Sequence, residues 1–333
     1  MGTKESILTT RREMLKAGGM MAGAGLLSGF IPKELFARQQ STTAAKTAQE
    51  LGDKIAQFRA QMGSVPLQTL QLRDNIYMLY GPGGNMVALT GPDGKVLVDS
   101  SFAPVAPKIQ EALAAMGKPP LKILINTHWH FDHTDGNAAL HEAGATILAH
   151  ENTRKRLSTP QDMKALGLHF PASPADALPQ QTFTTDFKLY FNGEELSLGY
   201  IPPAHTDTDI YIRYEKANVL HMGDIWFNGF YPLIDISTGG SINGMITGSQ
   251  LGLTLADAET KIVPGHGPVG DKATFTKYHD MLVTVRDRVR AQKSAGKSLD
   301  EVVAAKPTVD LDAAWGNGFI KPDFFVTFVY SSL

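Results

Sequence analysis

The run Asn126-Thr127-His128-Trp129-His130-Phe131-Asp132-His133-Thr134-Asp135-Gly136-Asn137 constrains this chain more than any other feature. It sets three imidazoles and a carboxylate within six residues, directly after Leu121-Lys122-Ile123-Leu124-Ile125. The length and β-branching of that preceding stretch read as a buried strand. In an extended loop, His128 and His130 can point the same way and reach one metal ion. Asp132 and His133 are adjacent and diverge, so they can serve a second ion nearby. Imidazole and carboxylate suit zinc and similar borderline cations. The chain has no cysteine, which excludes thiolate zinc sites, iron–sulfur clusters, disulfides and a cysteine nucleophile. Any metal must therefore be held by histidine and carboxylate.

Around this run the sequence breaks into short apolar segments. Ile76–Tyr80, Met86–Leu89 and Val96–Val98 read as strands, with Pro92-Asp93-Gly94 as hairpin punctuation between the last two. Ala106–Met116 reads as a helix. Further strands are expected at Ala145–Leu148, Phe187–Phe191, Leu196–Ile201, Ile210–Tyr214 and Val219–Met222. The period becomes helical from Ile242 to Leu255 and from Lys272 to Gln292. In the second stretch Phe275, Tyr278, Leu282, Val285 and Val289 form one apolar stripe. Two groups of strands with interspersed helices fit an α/β sandwich better than a closed barrel. The tail from Ser298 holds a short helix and then Trp315, Phe319, Phe324, Phe325, Phe328 and Tyr330. Such a cluster reads as core packing. It either closes over the domain or forms a subunit contact in an oligomer.

The H-x-H-x-D-H run resembles the signature of the metallo-β-lactamase superfamily. That resemblance implies three further ligand positions, each in a loop after a strand. The chain supplies His205 in Pro202-Pro203-Ala204-His205-Thr206-Asp207, Asp224 in His221-Met222-Gly223-Asp224, and His266 in Val263-Pro264-Gly265-His266-Gly267. The implied fold is a four-layer αββα sandwich over residues 65–295, followed by a C-terminal extension over 296–333. By the same resemblance His128, His130 and His205 hold one ion, Asp132, His133 and His266 hold another, and Asp224 bridges the two. The implied cofactors are two divalent ions, Zn2+ by family analogy. Asp99, after Val96-Leu97-Val98, is placed like the family's structural aspartate beneath the metal loop. His221, close to the ligands in sequence, is expected to support them at most. His141, His150, His169 and His279 lie outside the ligand pattern.

The chemistry implied is metal-assisted hydrolysis. Two cations lower the pKa of a shared water from 15.7 toward about 7, and the bridging hydroxide attacks an ester, thioester, lactone or amide carbonyl. Asp132 would be both a ligand and the residue that orients the hydroxide or relays its proton. No Gly-x-Ser-x-Gly elbow is visible, so no serine nucleophile is implied. Asp224 stands where one group of β-lactamases has a cysteine, and aspartate there is typical of thioesterase-like and lactonase-like members. β-Lactam hydrolysis is the alternative within the family. A mononuclear iron dioxygenase and a non-catalytic metal-binding module are the alternatives of other classes. The apolar loop Trp226-Phe227-Asn228-Gly229-Phe230-Tyr231-Pro232 reads either as core or as a pocket wall for a small-molecule substrate, with Trp226, Phe230 and Tyr231 lining it. A formal net charge of -2 gives no strong attraction to nucleic acid or anionic membrane.

The amino-terminal segment has a different character. Thr10-Arg11-Arg12-Glu13-Met14-Leu15-Lys16 precedes a run rich in glycine and alanine, Ala17 to Ile31. That run is shorter than the roughly 20 apolar residues a bilayer span needs. Paired arginines ahead of it resemble a bacterial twin-arginine export signal. The resemblance implies a signal peptide over 1–37, passage through the twin-arginine translocation machinery, and a periplasmic or otherwise exported protein with no stable membrane insertion after processing. Residues 38–64 are polar and read as a linker leading into a short helix.

Overall fold

The computed structural model describes residues 55–333. The expected signal segment and most of the linker lie outside the described residues. A helix over residues 55–64 leads into fourteen strands, numbered here in chain order. Strands β1 (Gln68–Arg73), β2 (Ile76–Tyr80), β3 (Met86–Gly91) and β4 (Gly94–Val98) form an antiparallel meander. Three parallel neighbours extend it: β5 (Leu121–Ile125), β6 (Thr146–His150) and β9 (Gln181–Phe183). Between β6 and β9, β7 (Gln161–Met163) and β8 (Leu168–Phe170) make a separate hairpin. The second sheet runs β10 (Asp186–Phe191), β11 (Glu194–Tyr200), β12 (Ile210–Tyr214), β13 (Val219–His221) and β14 (Lys261–Val263), with only β13 and β14 parallel.

Strand alternation explains how the layers stack, because successive side chains leave opposite faces of a sheet. Val87, Leu89, Val96, Val98 and Ile125 of the first sheet share a core with Leu196, Leu198, Ile210, Ile212, Val219 and Val263 of the second. The intervening residues Met86, Ala88, Leu97 and Leu124 face the other way. They meet Ile109 and Leu113 of the helix Ala106–Ala115. On the far side of the second sheet, Leu220 and Ile262 pack against the helices Ile242–Leu255 and Lys272–Ser294 through Met245, Phe275, Leu282 and Val285. The result is helix, sheet, sheet, helix. Both faces of the inner strands are buried, which is why they read as continuous apolar runs rather than alternating ones.

The tail belongs to the outermost of these layers. Val302, Ile320, Phe325, Val326, Phe328 and Val329 are buried in the same core as the two long helices. Residues 296–333 thus close over the domain. The expected strands ending at Ile201 and Met222 stop one residue earlier, at Tyr200 and His221, where the chain turns into the loops that carry His205 and Asp224. Strands β7, β8 and β9 have three residues each, too few for a period to show in the sequence. Among the described residues no helix is long and apolar enough to cross a membrane.

Candidate metal centre

All seven expected ligand residues come together. Each is delivered by a loop leaving the end of a strand: His128 to His133 after β5, His205 after β11, Asp224 after β13 and His266 after β14. Two groups of ligand atoms result, His128 with His130, His205 and Asp224, and Asp132 with His133 and His266, each within 4.8 Å of one another. His130 Nδ1 and His205 Nε2 are 2.8 Å apart. In the other group, Nε2 of His133 and Nε2 of His266 are separated by 3.4 Å. The Asp132 carboxylate lies 3.3 Å from His266 and 3.6 Å from His133.

Asp224 touches both groups. Its Oδ1 lies 3.2 Å from His133 Nε2, and its Oδ2 lies 3.3 Å from His205 Nε2 and 3.4 Å from His266 Nε2. The residue donor set fits a cation. Nε2 of His128 and Oδ1 of Asp224 are buried with no hydrogen-bond partner, and an orphaned buried polar atom is costly unless something coordinates it. The pairing of imidazole nitrogens at such short range points the same way.

The opposite nitrogens of the rings are held from behind, which decides which atom each histidine presents. Asp99 accepts from Nδ1 of His133 at 2.8 Å. The same carboxylate accepts from the Thr127 hydroxyl and the Thr127 backbone N–H, both at 2.8 Å. Thr127 Oγ1 in turn lies 3.0 Å from Nδ1 of His128. The ring of His205 donates from Nδ1 to the Leu233 carbonyl at 2.8 Å, and His130 donates from Nε2 to Asp235 at 3.2 Å. Arg156 grips Asp207 in the His205 loop with two bonds of 3.0 and 2.7 Å. His221 does not reach the ligand cluster. Its ring spans Asn85 C=O and Gly223 N–H, fixing the loop at the residue just before Asp224.

Two glycines make room for this arrangement. A Cβ on Gly84 would lie 2.0 Å from the His133 ring, and one on Gly265 would lie 1.9 Å from Oδ1 of Asp224. No larger residue permits the backbone to approach so closely.

Burial and charge divide the groups. His128, His130 and His205 are almost fully buried, whereas the side chains of Asp132 and His266 are 19% and 18% exposed, so the cluster opens to solvent on their side. Burial brings the pKa of His205 down to about 4, with the nearby His130 adding to the shift, and burial also drives His128 well below its usual range. His266 is opposite. Burial alone would lower it, but the Asp224 and Asp132 carboxylates win and raise it to about 9. His133 is likewise raised, burial being outweighed by Asp224, Asp132 and Asp99. Burial would push the Asp132 carboxyl up, yet His133 and His266 hold it at about 2.

The expected pocket wall needs correction. Trp226 and Tyr231 are buried in the helical core, Trp226 tilted against Phe275 at 4.7 Å and Tyr231 stacked on Phe325 at 4.7 Å, with the Tyr231 hydroxyl donating to Asp312. They fill space between the second sheet and the tail. Phe230 is half-buried. The aromatic of this loop that reaches the cluster is Phe227, whose ring stacks on His266 at 5.1 Å. Asp235 and Leu233 escaped the sequence reading. The one signal was an acidic residue between Ile234 and Ile236, a setting in which a carboxylate that becomes buried needs a partner.

Comparison with known proteins agrees with this arrangement. The sequence profile described as "Metallo-beta-lactamase superfamily" matches residues 79–266, more than half of the chain and all seven cluster residues. A probable metallo-hydrolase of Methanocaldococcus jannaschii is 28% identical over 203 residues, covering 59% of this chain and 94% of that protein. A hydroxyacylglutathione hydrolase of a Polaromonas species is 26% identical over 156 residues, covering 46% of this chain and 51% of that one. Among solved structures, a metallo-beta-lactamase from Pontibacter korlensis superposes with a TM-score of 0.55 at 18% identity, over 65% of this chain and 99% of the other. The DIM-1 metallo-beta-lactamase gives 0.53 at 19% identity, over 66% and 99%. At such identities the structural likenesses show the fold alone. With that fold, the matched profile and a histidine–aspartate cluster in the matched region, the chain belongs to the metallo-beta-lactamase superfamily.

Proposed function

We propose that this protein is a binuclear metal-dependent hydrolase, taking two divalent cations of the zinc type and cleaving an ester-, thioester-, lactone- or amide-type carbonyl in a small molecule. The observation that carries the reading is the position of Asp224, whose two oxygens face His133 on one side and His205 on the other at 3.2 and 3.3 Å. Divalent cations held by His128, His130, His205, Asp224, Asp132, His133 and His266 would supply a hydroxide nucleophile at neutral pH and would polarise the attacked oxygen. The chain's own residues do the rest. Thr127, Asp99, Asp235 and the Leu233 carbonyl fix the rings, so that little reorganisation accompanies the reaction. Asp132 stands at the solvent side beside His266, where an ionised carboxylate can take a proton from the reacting oxygen and pass it outward. Likeness to a hydroxyacylglutathione hydrolase supports the thioester branch of this reading.

The test is a hydrolysis panel of thioesters, lactones, β-lactams, phosphodiesters and sulfate esters, run with metal-loaded and chelated protein alongside metal analysis. Turnover of a carbonyl substrate, lost with chelator and accompanied by about two zinc-like ions per chain, is expected. A single iron per chain with oxygen consumption moves the assignment to a dioxygenase, and a loaded protein inert to the whole panel makes it a binding module. We also propose that the chain is exported through the twin-arginine route, on the strength of Arg11-Arg12 and the run that follows. Replacing both arginines with lysine should retain the protein in the cytoplasm, and unaltered export would end that proposal.

A further inference from the structure

The helix over residues 55–64 lies ahead of the segment matched by the superfamily profile, which begins at residue 79, and it contributes none of the seven cluster residues. Ile55, Phe58 and Met62 recur at helical spacing and turn one apolar face inward. Ile55 joins the cluster of Trp129, Met163 and Phe170, while Phe58 and Met62 pack on that of Phe102, Val105 and Ile109. The far end of the helix is fastened as well. Lys108 Nζ donates to the carbonyls of Gly63 and Val65 at 2.7 and 2.9 Å, a cation at the end where a helix leaves carbonyls unpaired.

What this helix grips is the turn that carries two of the cluster residues. Phe131–Thr134 is a single helical turn, closed by the Asp135 N–H on the Phe131 carbonyl at 2.9 Å. Phe131 and Asp135 are four positions apart and so share one face of that turn, while Asp132 and His133 between them reach the cluster. Arg59 engages both ends of the shared face. Its guanidinium donates to Oδ1 of Asp135 at 2.7 Å and stands 5.8 Å from the centre of the Phe131 ring. Phe58 lies 6.5 Å from the same ring, which Phe102 and Phe170 meet at 5.4 and 4.9 Å. Oδ2 of Asp135 accepts from the Ala103 N–H at 3.1 Å, so the turn is held from two sides.

Asp132 has most to gain from such a hold. The rings of His128, His130, His133 and His205 are fixed from behind by other side chains or a carbonyl, whereas among the described residues the Asp132 carboxylate is in contact with His133 and His266 of its own group. Its place is set by the backbone turn. We propose that Arg59 is a positioning residue for the Asp132–His133–His266 group, fixing the turn that carries Asp132 by bridging Phe131 and Asp135. The inference rests on the binuclear reading and adds to it a support from outside the matched superfamily segment. With side chains 32% and 17% exposed, the Arg59–Asp135 pair contributes little to the stability of the whole chain, so its removal should be felt locally.

The experiment compares Arg59→Ala, Arg59→Lys and Asp135→Asn with the wild type, all as the full chain. Zinc titration against chelators of graded strength should show the affinity of the Asp132–His133–His266 group reduced about tenfold in Arg59→Ala, with the His128–His130–His205 group unchanged. Lysine keeps the charge but lacks the flat fork that spans a carboxylate and a ring, so Arg59→Lys should recover part of the loss. The double variant Arg59→Ala/Asp135→Asn should lose no more than Arg59→Ala, because the two residues act through one contact. Hydrogen–deuterium exchange on the chelated proteins needs neither metal nor turnover. In Arg59→Ala it should quicken several-fold over residues 131–137 while both sheets exchange as in the wild type. Wild-type zinc affinity or wild-type exchange of that segment in Arg59→Ala overturns the proposal. An equal loss at both groups, or faster exchange spread over the whole domain, makes Arg59 a general stabiliser and overturns it too. Fewer than two ions in the wild type would defeat the binuclear reading by itself, and the exchange measurement would then decide whether Arg59 holds the turn.

Discussion

One oxygen of Asp99, Oδ2, lies 2.8 Å from Nδ1 of His133 and equally 2.8 Å from the hydroxyl of Thr127, which in turn meets Nδ1 of His128. A single buried carboxylate thereby orients one histidine from each ligand group. It does so from a left-handed backbone position, φ 64°, unusual outside glycine but tolerated by aspartate and asparagine. Replacing Asp99 with alanine should lower metal affinity about tenfold to hundredfold at both groups. Asp99→Asn, which keeps the backbone preference and one acceptor, should fall between. Metal titration of the two variants checks this, and wild-type affinity in Asp99→Ala would show that the rings are fixed by other contacts.

Asp235 plays the corresponding part for His130 alone. Burial would raise its carboxyl pKa, but the hydrogen bond and charge of His130, together with the hydrogen bonds of Ser237 and Thr238, outweigh this and hold it well below the usual carboxylate range. Asp235→Ala should therefore weaken only the His128–His130–His205 group, again by about tenfold to hundredfold, and leave the other group's affinity close to wild type. Competition with a chelator of graded strength separates the two losses. An equal loss at both groups would contradict a role confined to His130.

Metal loading should depend on pH differently at the two groups. His205, at about 4, and His128, also lowered by burial, are already neutral at pH 7 and release no proton to a cation. His266, at about 9, and His133, also raised, carry protons there that a cation must displace. Affinity of the Asp132–His133–His266 group should consequently rise about tenfold per pH unit for each proton released, up to about pH 9. Calorimetry in buffers of different ionisation enthalpy counts those protons, with one or two expected for this group at pH 7. The same raised pKa values stabilise the metal-free fold. That stability is fully present below the unfolded histidine value of about 6.5 and is lost as pH rises through 9, so the Tm of the chelated protein should fall across this window.

Gly84 marks a steric limit. An added methyl would sit 2.0 Å from Cε1 and 2.5 Å from Nε2 of His133, and Asp99 pins the other side of that ring. Gly84→Ala should displace His133 and reduce loading of its group while leaving secondary structure intact. Circular dichroism with metal analysis tests this, and full loading of both groups would mean that the ring has room to move.

The sandwich and the seven candidate ligand residues were largely legible in the linear chain. Buried strands must be largely apolar on both faces, as over Met86–Leu89 and Val96–Val98, and metal chemistry without cysteine admits few residue types. Those are local requirements, and a local pattern records them. The partners behind the rings are different. Asp235 meets His130 across 105 positions, and Leu233 meets His205 through a carbonyl that every residue possesses. Nothing in the neighbouring residues marks such a pairing. Trp226 and Phe227 are adjacent aromatics of similar character, yet the turn after Asp224 sends one into the helical core and lays the other on His266. The chemical composition of the centre was thus written in the order of residues. The support behind it and its solvent-facing side arose only when two sheets and their loops packed together, because contact between distant segments is a property of the folded geometry.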